Sequence, residues 1–145
     1  MTTHEERLSF NEQNIAEFRE TGGKVASFGD SPLLLLHTTG VKSGETRIAP
    51  MMYLADEENP DRVYVFGSNG GRDTDPAWVA NVHAQATGLT VEIGNETVPA
   101  DAEQLAGAER ERIYAIQSGR YPVFADYQAG TERVIPVVAL NLHRS

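Results

Sequence analysis

The sequence predicts a mainly β, α+β fold: about six largely antiparallel strands with an N-terminal helix and flanking helices. Three observations carry this. Short runs rich in β-branched and aromatic residues follow one another as hairpins, with no regular strand–helix–strand alternation. Gly94-Asn95 separates two alternating runs, "LTVEI" and "ETVPADAEQL", and this dipeptide is favoured in tight hairpin turns because it tolerates positive φ. The 145 residues, 40% of them hydrophobic, suffice for one core, so residues 1–145 are expected to form one domain with 1–23 as an N-terminal helical segment. An antiparallel barrel or an α+β sheet suits this pattern better than a doubly wound parallel sheet.

In chain order, "SFNEQNIAEFRETGG" carries a capping-box pattern, Ser9 with Glu12, then Phe10, Ile15 and Phe18 at near-helical spacing and Gly22-Gly23 as the stop. It predicts a helix over about residues 10–21. "SPLLLLHTTG" is a short continuous apolar run after a proline, which suits a strand buried on both faces. "TRIAPMMYL" continues as a second strand, with Pro50 interrupting it or placing it at an edge. "RVYVFG" alternates and predicts a third strand, followed by the glycine-rich loop "SNGGRDTD". "DPAWVANVHAQ" reads as a short helix with Asp75 as N-cap, Pro76 at the first helical position, and Trp78 and Val82 on one face. The two strands around Gly94 follow. "AGAERERIYAIQSGR" is a charged surface helix, "YPVFADYQAG" an aromatic-rich connector, and "ERVIPVVALNLH" a last strand with Pro136 inside it. The expected total is six strands and three helices.

Composition excludes several function classes. The net charge of -9 opposes nucleic-acid and anionic-membrane surfaces, although a small anion can still bind in a local basic pocket. There is no cysteine, so disulfides, thiolate metal sites and thiol nucleophiles are absent. No apolar run approaches the roughly 20 residues that span a bilayer, and residues 4 to 23 hold more acids than bases, which fits an anionic bilayer poorly. A cytoplasmic protein is expected, with a homo-oligomer possible. His37, His83 and His143 have no metal-like spacing, and His4 lies near a terminus expected to fray.

Against this acidic background "HTTGVKSGETR", residues 37–47, stands out, since it holds one of only two lysines in the chain. It is not a phosphate-binding P-loop: Val41 separates Gly40 from Lys42, and a strand follows where that motif requires a helix. Two readings stand. The turn is a solvated hairpin edge, or it is an anion pocket in which backbone N–H groups, Thr39, Ser43, Lys42 and the Arg47 fork converge on a phosphate.

Three separated blocks, "LLLLHTTGVKSGETRIAPMMYL", "VYVFGSNGGRDTDPAWVANVHAQ" and "YPVFADYQAGTERVIPVVAL", resemble in order and spacing the deazaflavin-dependent nitroreductase family, actinobacterial reductases that use coenzyme F420 on a split β-barrel. The likeness covers about residues 33–142. It implies a cofactor role for Lys42, Ser43, Arg47, Ile48, Pro50, Met51 and Met52, with the basic residues on the coenzyme phosphate. It similarly implies contacts from Gly67, Ser68 and Asn69 of "FGSNGG", and from Ala77, Trp78 and Asn81 of "PAWVANV". Trp78, Asn81, Ser68 and Asn69 also have ordinary packing, capping and loop-forming uses.

The chemistry implied is hydride transfer from the reduced coenzyme to an electron-poor acceptor: an activated C=C bond, a quinone or a nitroaromatic. No protein nucleophile is needed, but a proton must reach the product, and Ser68, Tyr121 and Tyr127 are the candidate donors, with Tyr53 behind them. The sequence departs from some relatives, which carry tyrosine where this chain has Met52 and Phe124. Phenylalanine donates no proton. The substrate pocket expected from Met52, Trp78, Phe124 and Tyr127 is broad and apolar, and methionine makes it adaptable. An FMN-dependent split barrel and a non-catalytic deazaflavin-binding protein are the alternatives.

Overall fold

Four consecutive leucines, Leu33 to Leu36, show how the chain builds its layers. Successive strand side chains point to opposite faces. Leu34 and Leu36 therefore join a cluster inside the barrel with Val63, Val65, Val91, Val138 and Leu140, while Leu33 and Leu35 pack outside it against Phe18 and Val25. All four are essentially inaccessible to water. Each such burial contributes about 1.5–3 kcal/mol, which is why the run shows no polar alternation.

The computed structural model describes residues 4–29 and 31–144, with the backbone alone for 4–11, 27 and 70. Six strands, β1 (Leu33–Thr39), β2 (Thr46–Ala55), β3 (Arg62–Phe66), β4 (Leu89–Ile93), β5 (Glu96–Gln104) and β6 (Val137–Leu142), close into a barrel in the order β1-β2-β3-β6-β5-β4, every pairing antiparallel. The helices are α1 (His4–Thr21), α2 (Ala77–Ala84), α3 (Gly107–Arg120) and α4 (Val123–Ala129), with 3-10 turns at Ala26–Phe28 and Asn69–Gly71. The antiparallel barrel expected from the hairpin pattern is the fold observed.

Three apolar layers follow from strand alternation. Val63, Val65, Val138 and Leu140 point inward, where Trp78, Val79 and Val82 of α2 join them. Tyr64, Phe66, Val137 and Ala139 point outward and are covered by Ile113 and Tyr114 of α3 and Phe124 of α4. The third layer is the one beneath α1.

Several local expectations change. Helix α1 starts at His4, so Ser9 lies inside it and the Ser9/Glu12 pair is not a capping box at its end. Asp75 does not cap α2: Pro76 is the N-cap residue, and the Asp75 carboxylate pairs with Arg133 at 2.7 Å. "YPVFADYQAG" is a helix and not a connector, which raises the helix count to four. Its seven residues are too few to show a period, but Pro122 marks its start. Pro136 precedes β6 and is not inside it. In the β4–β5 turn, Gly94 takes the positive φ of 58°. Pro50 does lie at a local edge: β2 meets β3 only at residues 53–55, so its first half is paired with β1 alone.

Candidate functional site

That half-paired stretch of β2 forms one wall of a cleft of about 440 Å3. Ala49, Pro50, Met51 and Met52 supply this wall; Phe66, Ser68 and Asn69 supply the second, Pro76 and Trp78 the third, and Val123, Phe124 and Tyr127 of α4 the fourth, with Phe28 at its rim. The lining is mostly apolar and aromatic. Two other hollows are charged: one of about 250 Å3 is walled by Asp56, Glu57, Glu58, Arg112 and Arg120, and one of about 520 Å3 by Asp73, Glu132 and Arg133. Neither offers a flat apolar surface beside a glycine loop.

The cleft gathers Pro50, Met51, Met52, Ser68, Asn69, Trp78, Phe124 and Tyr127 from the residues singled out in the sequence. Trp78 is nearly buried and belongs to the barrel interior as well, so packing and lining are one role. Tyr127 packs edge-on to Phe124, ring centroids 5.4 Å apart. Among the described residues no hydrogen bond engages the Tyr127 or Ser68 hydroxyl, so both are available to a ligand. Tyr121 is half-buried in the outer layer under α3 and α4 and is not part of the lining. Ile48 packs toward α1, and Ala77 is exposed at the start of α2.

Beyond this wall lies the basic turn joining β1 to β2. Gly40 N–H donates to the Glu45 carbonyl at 2.8 Å and Gly44 N–H to the Gly40 carbonyl at 2.9 Å. A Cβ on Gly40 would stand 2.6 Å from Ser43 Oγ, so glycine is required by the tightness of the turn. Ser43 Oγ accepts from Glu45 N–H at 3.1 Å and from Arg47 Nη2 at 3.3 Å. Arg47 is about half exposed and faces Glu45 at 3.6 Å. Lys42 is exposed, with no carboxylate within 4 Å among the described residues. Among the described residues the turn thus carries one cation without a carboxylate partner and one that faces a solvent-screened carboxylate.

Asn81 connects the turn to α2. Its Nδ2 donates to Thr38 Oγ1 at 3.0 Å and its Oδ1 accepts from Val41 N–H at 3.2 Å. It is buried, so it orients the turn from beneath. Gly67 also has a packing reason to be glycine, because a Cβ there would meet Val79 Cγ2 at 2.9 Å. Asn69, at φ 49°, is the one non-glycine residue at positive φ among those described, and its Nδ2 donates to the Thr74 carbonyl at 3.0 Å.

Sequence reasoning missed Phe28, Ala49, Phe66, Pro76 and Val123 as lining, and it missed Arg133. Phe28 and Val123 reach the cleft through the docking of a 3-10 turn and a short helix, which leave no local signal. His37 pairs with Glu92 at 2.6 Å, His143 with Asp101 at 2.8 Å, and His83 with Gln104; the His4 side chain lies outside the described residues. No cluster able to hold a metal ion occurs among the described residues.

The sequence model of the family described as F420H(2)-dependent quinone reductase matches residues 11–141. The F420H(2)-dependent quinone reductase Rv1261c of Mycobacterium tuberculosis is 32% identical over 134 residues, 87% of this chain and 85% of that protein. Among solved structures, "Structure of F420-H2 Dependent Reductase (FDR-A)" superposes with a TM-score of 0.66 at 35% identity, covering 75% of this chain and 93% of the other. A "domain-swapped dimer" superposes with a TM-score of 0.67 at 31% identity, covering 92% and 98%. The family-model match spans the basic turn, the half-paired strand, the glycine loop and the helices around the cleft, and so the chain belongs to the F420H(2)-dependent quinone reductase family.

Proposed function

We propose that the cleft holds the ring system of coenzyme F420 beside a flat, electron-poor acceptor of the quinone class, with the coenzyme's phosphate-bearing tail at the basic turn. The single observation that carries this is an apolar cleft walled by β2, the strand that runs on directly from an exposed cationic turn, in a chain of net charge -9. The residues present fit such a ligand. Met51, Met52 and Trp78 offer apolar surface to a planar ring, and the glycine turn with Lys42, Ser43 and Arg47 offers donors to an anion.

When bound, the reduced coenzyme supplies the hydride. The chain's own residues then have three tasks. Met52, Phe124 and Val123 exclude water from the acceptor, which strengthens every electrostatic contact inside. Ser68 and Asn69 present polar groups at the cleft wall, where negative charge on the acceptor oxygen can be stabilised. Tyr127 holds a hydroxyl proton at the same cleft and can donate it to that oxygen. Phe124 cannot. Tyr121 lies outside the lining, so Tyr127 and Ser68 are the donors this reading retains. A quinone suits the arrangement because its reduction needs a flat apolar slot and a proton at oxygen.

The test is a side-by-side fluorescence titration of the purified protein with coenzyme F420 and with FMN, followed by turnover of the reduced coenzyme with a naphthoquinone. Binding of the deazaflavin with quinone turnover is expected. Binding of FMN alone would overturn the cofactor, and binding of the deazaflavin without turnover of any acceptor would leave a carrier in place of an enzyme.

A further inference from the structure

We infer that Arg133 is a positioning residue for this reaction, a clamp that fixes the 67–75 loop so that Ser68 and Asn69 face the cleft. The inference rests on the cleft being the coenzyme and acceptor site. Arg133 lies between α4 and β6, outside the lining of the cleft itself, and its side chain is 16% exposed. Its guanidinium nevertheless reaches the whole loop: Nη1 donates to the Gly67 carbonyl at 3.2 Å and to Asp75 Oδ1 at 2.7 Å, Nη2 to the Ser68 carbonyl at 3.0 Å, and Nε to the Arg72 carbonyl at 2.9 Å. Four acceptors spread over residues 67 to 75 are thereby held by one rigid, planar group.

The loop needs such a group. Residues 68–75 belong to no strand, and the segment includes two positive-φ positions, Asn69 at 49° and Gly71 at 82°. A segment of this kind has a large conformational freedom to lose before its side chains are useful. The fork of an arginine satisfies several divergent carbonyls at once, whereas the point charge of a lysine cannot. Asp75 completes the clamp by neutralising the charge, so Arg133 positions the loop without adding a net cation beside the cleft. A second tie, Thr131 Oγ1 donating to Asp73 Oδ1 at 3.0 Å, runs between the same two segments.

The experiment compares Arg133→Gln, Arg133→Lys and Asp75→Asn with the native chain by three readouts: amide hydrogen exchange of residues 69–75 in the coenzyme-free protein, the coenzyme Kd, and kcat and KM with a quinone. Arg144→Gln is the comparator, because Arg144 makes a similar clamp elsewhere, on the Pro60 carbonyl at 2.8 Å, Asp61 at 3.1 Å and Glu96 at 2.9 Å. Arg133→Gln is expected to speed exchange in the loop and to raise the coenzyme Kd roughly tenfold or more, with kcat falling as well, since misplacement of positioning groups is costly to rate. Arg133→Lys is expected to stay close to it. Arg144→Gln should leave loop exchange and Kd unchanged even at an equal loss of Tm. Native exchange together with a native Kd in Arg133→Gln would overturn the clamp. Should Arg133→Gln fail to fold, Asp75→Asn decides, with a two- to fivefold rise in Kd expected and an unchanged Kd overturning the inference. A native chain without coenzyme affinity would instead sink the functional reading, and the exchange experiment would still test the clamp.

Discussion

Tyr127 and Phe124 stand three residues apart on α4 and both line the cleft, but only one carries a hydroxyl. If that hydroxyl supplies the proton, Tyr127→Phe should lower kcat roughly 100-fold while the coenzyme Kd, read by fluorescence titration, stays unchanged. Equal kcat would move the role to Ser68 or to water. A different residue-scale feature concerns stability. Gln117 of α3 is fully buried, and among the described residues neither its amide nitrogen nor its oxygen has a hydrogen-bond partner. An unpaired buried polar group costs about 1–3 kcal/mol, so Gln117→Met, of similar volume, should raise stability by about 1 kcal/mol and Tm by roughly 3 °C, measured by thermal unfolding. The candidate cleft residues Met51, Met52, Ser68, Asn69, Trp78 and Tyr127 were legible because they fall in the three blocks that resemble a known family, and most of their roles came with that resemblance. Arg133 was not, since its carbonyl partners are backbone groups about 60 residues upstream that no side-chain pattern announces.

At the scale of elements, α1 is attached to the barrel by a polar contact as well as by Phe18. Arg19 donates to Glu92 of β4 through Nε at 2.9 Å and Nη2 at 2.8 Å, and His37 of β1 meets the same carboxylate at 2.6 Å. The Arg19 hydrogen bonds, and after them that of His37, hold the Glu92 carboxyl below the usual carboxylate range against the effect of burial. A carboxyl lowered on folding contributes stability that is complete above its unfolded pKa of about 4.3 and is lost as pH falls through the lower folded value. Glu92→Gln should therefore destabilise by about 1 kcal/mol at neutral pH, a modest figure because Arg19 is half exposed. The difference from the native chain should shrink as pH falls below about 4.3 and vanish only once pH lies below the lowered folded value, which chemical denaturation at a series of pH values would show. The strands were readable one by one, because alternation and turn residues are local. The start of α1 and the existence of α4 were not: tertiary docking of Phe18 and Phe124 stabilises these helices more than any cap.

At the scale of the whole molecule, charge distribution matters more than any one pair. A net charge of -9 repels an anionic coenzyme over the Debye length, and the turn at Lys42 and Arg47 is a local exception on the surface. Both cations are exposed, so Lys42→Ala should weaken coenzyme binding by only about 1 kcal/mol. The loss should be largest at low ionic strength and should shrink as salt rises, measured as Kd against salt for native and variant chains. No helix of the described residues is long and apolar enough to cross a membrane. What the amino-acid order determined by itself was whatever depends on near neighbours: strand periodicity, the Gly94 hairpin, the double-sided burial of Leu33 to Leu36, and the cationic turn in an acidic chain. Tertiary structure alone decided how the barrel closes through β1 and β4, that β2 stays half-paired and opens the cleft, and that Arg133 reaches back to the 67–75 loop. Those are contacts between residues far apart in the chain, formed only once closure brings their backbones together, and local pattern carries no record of them.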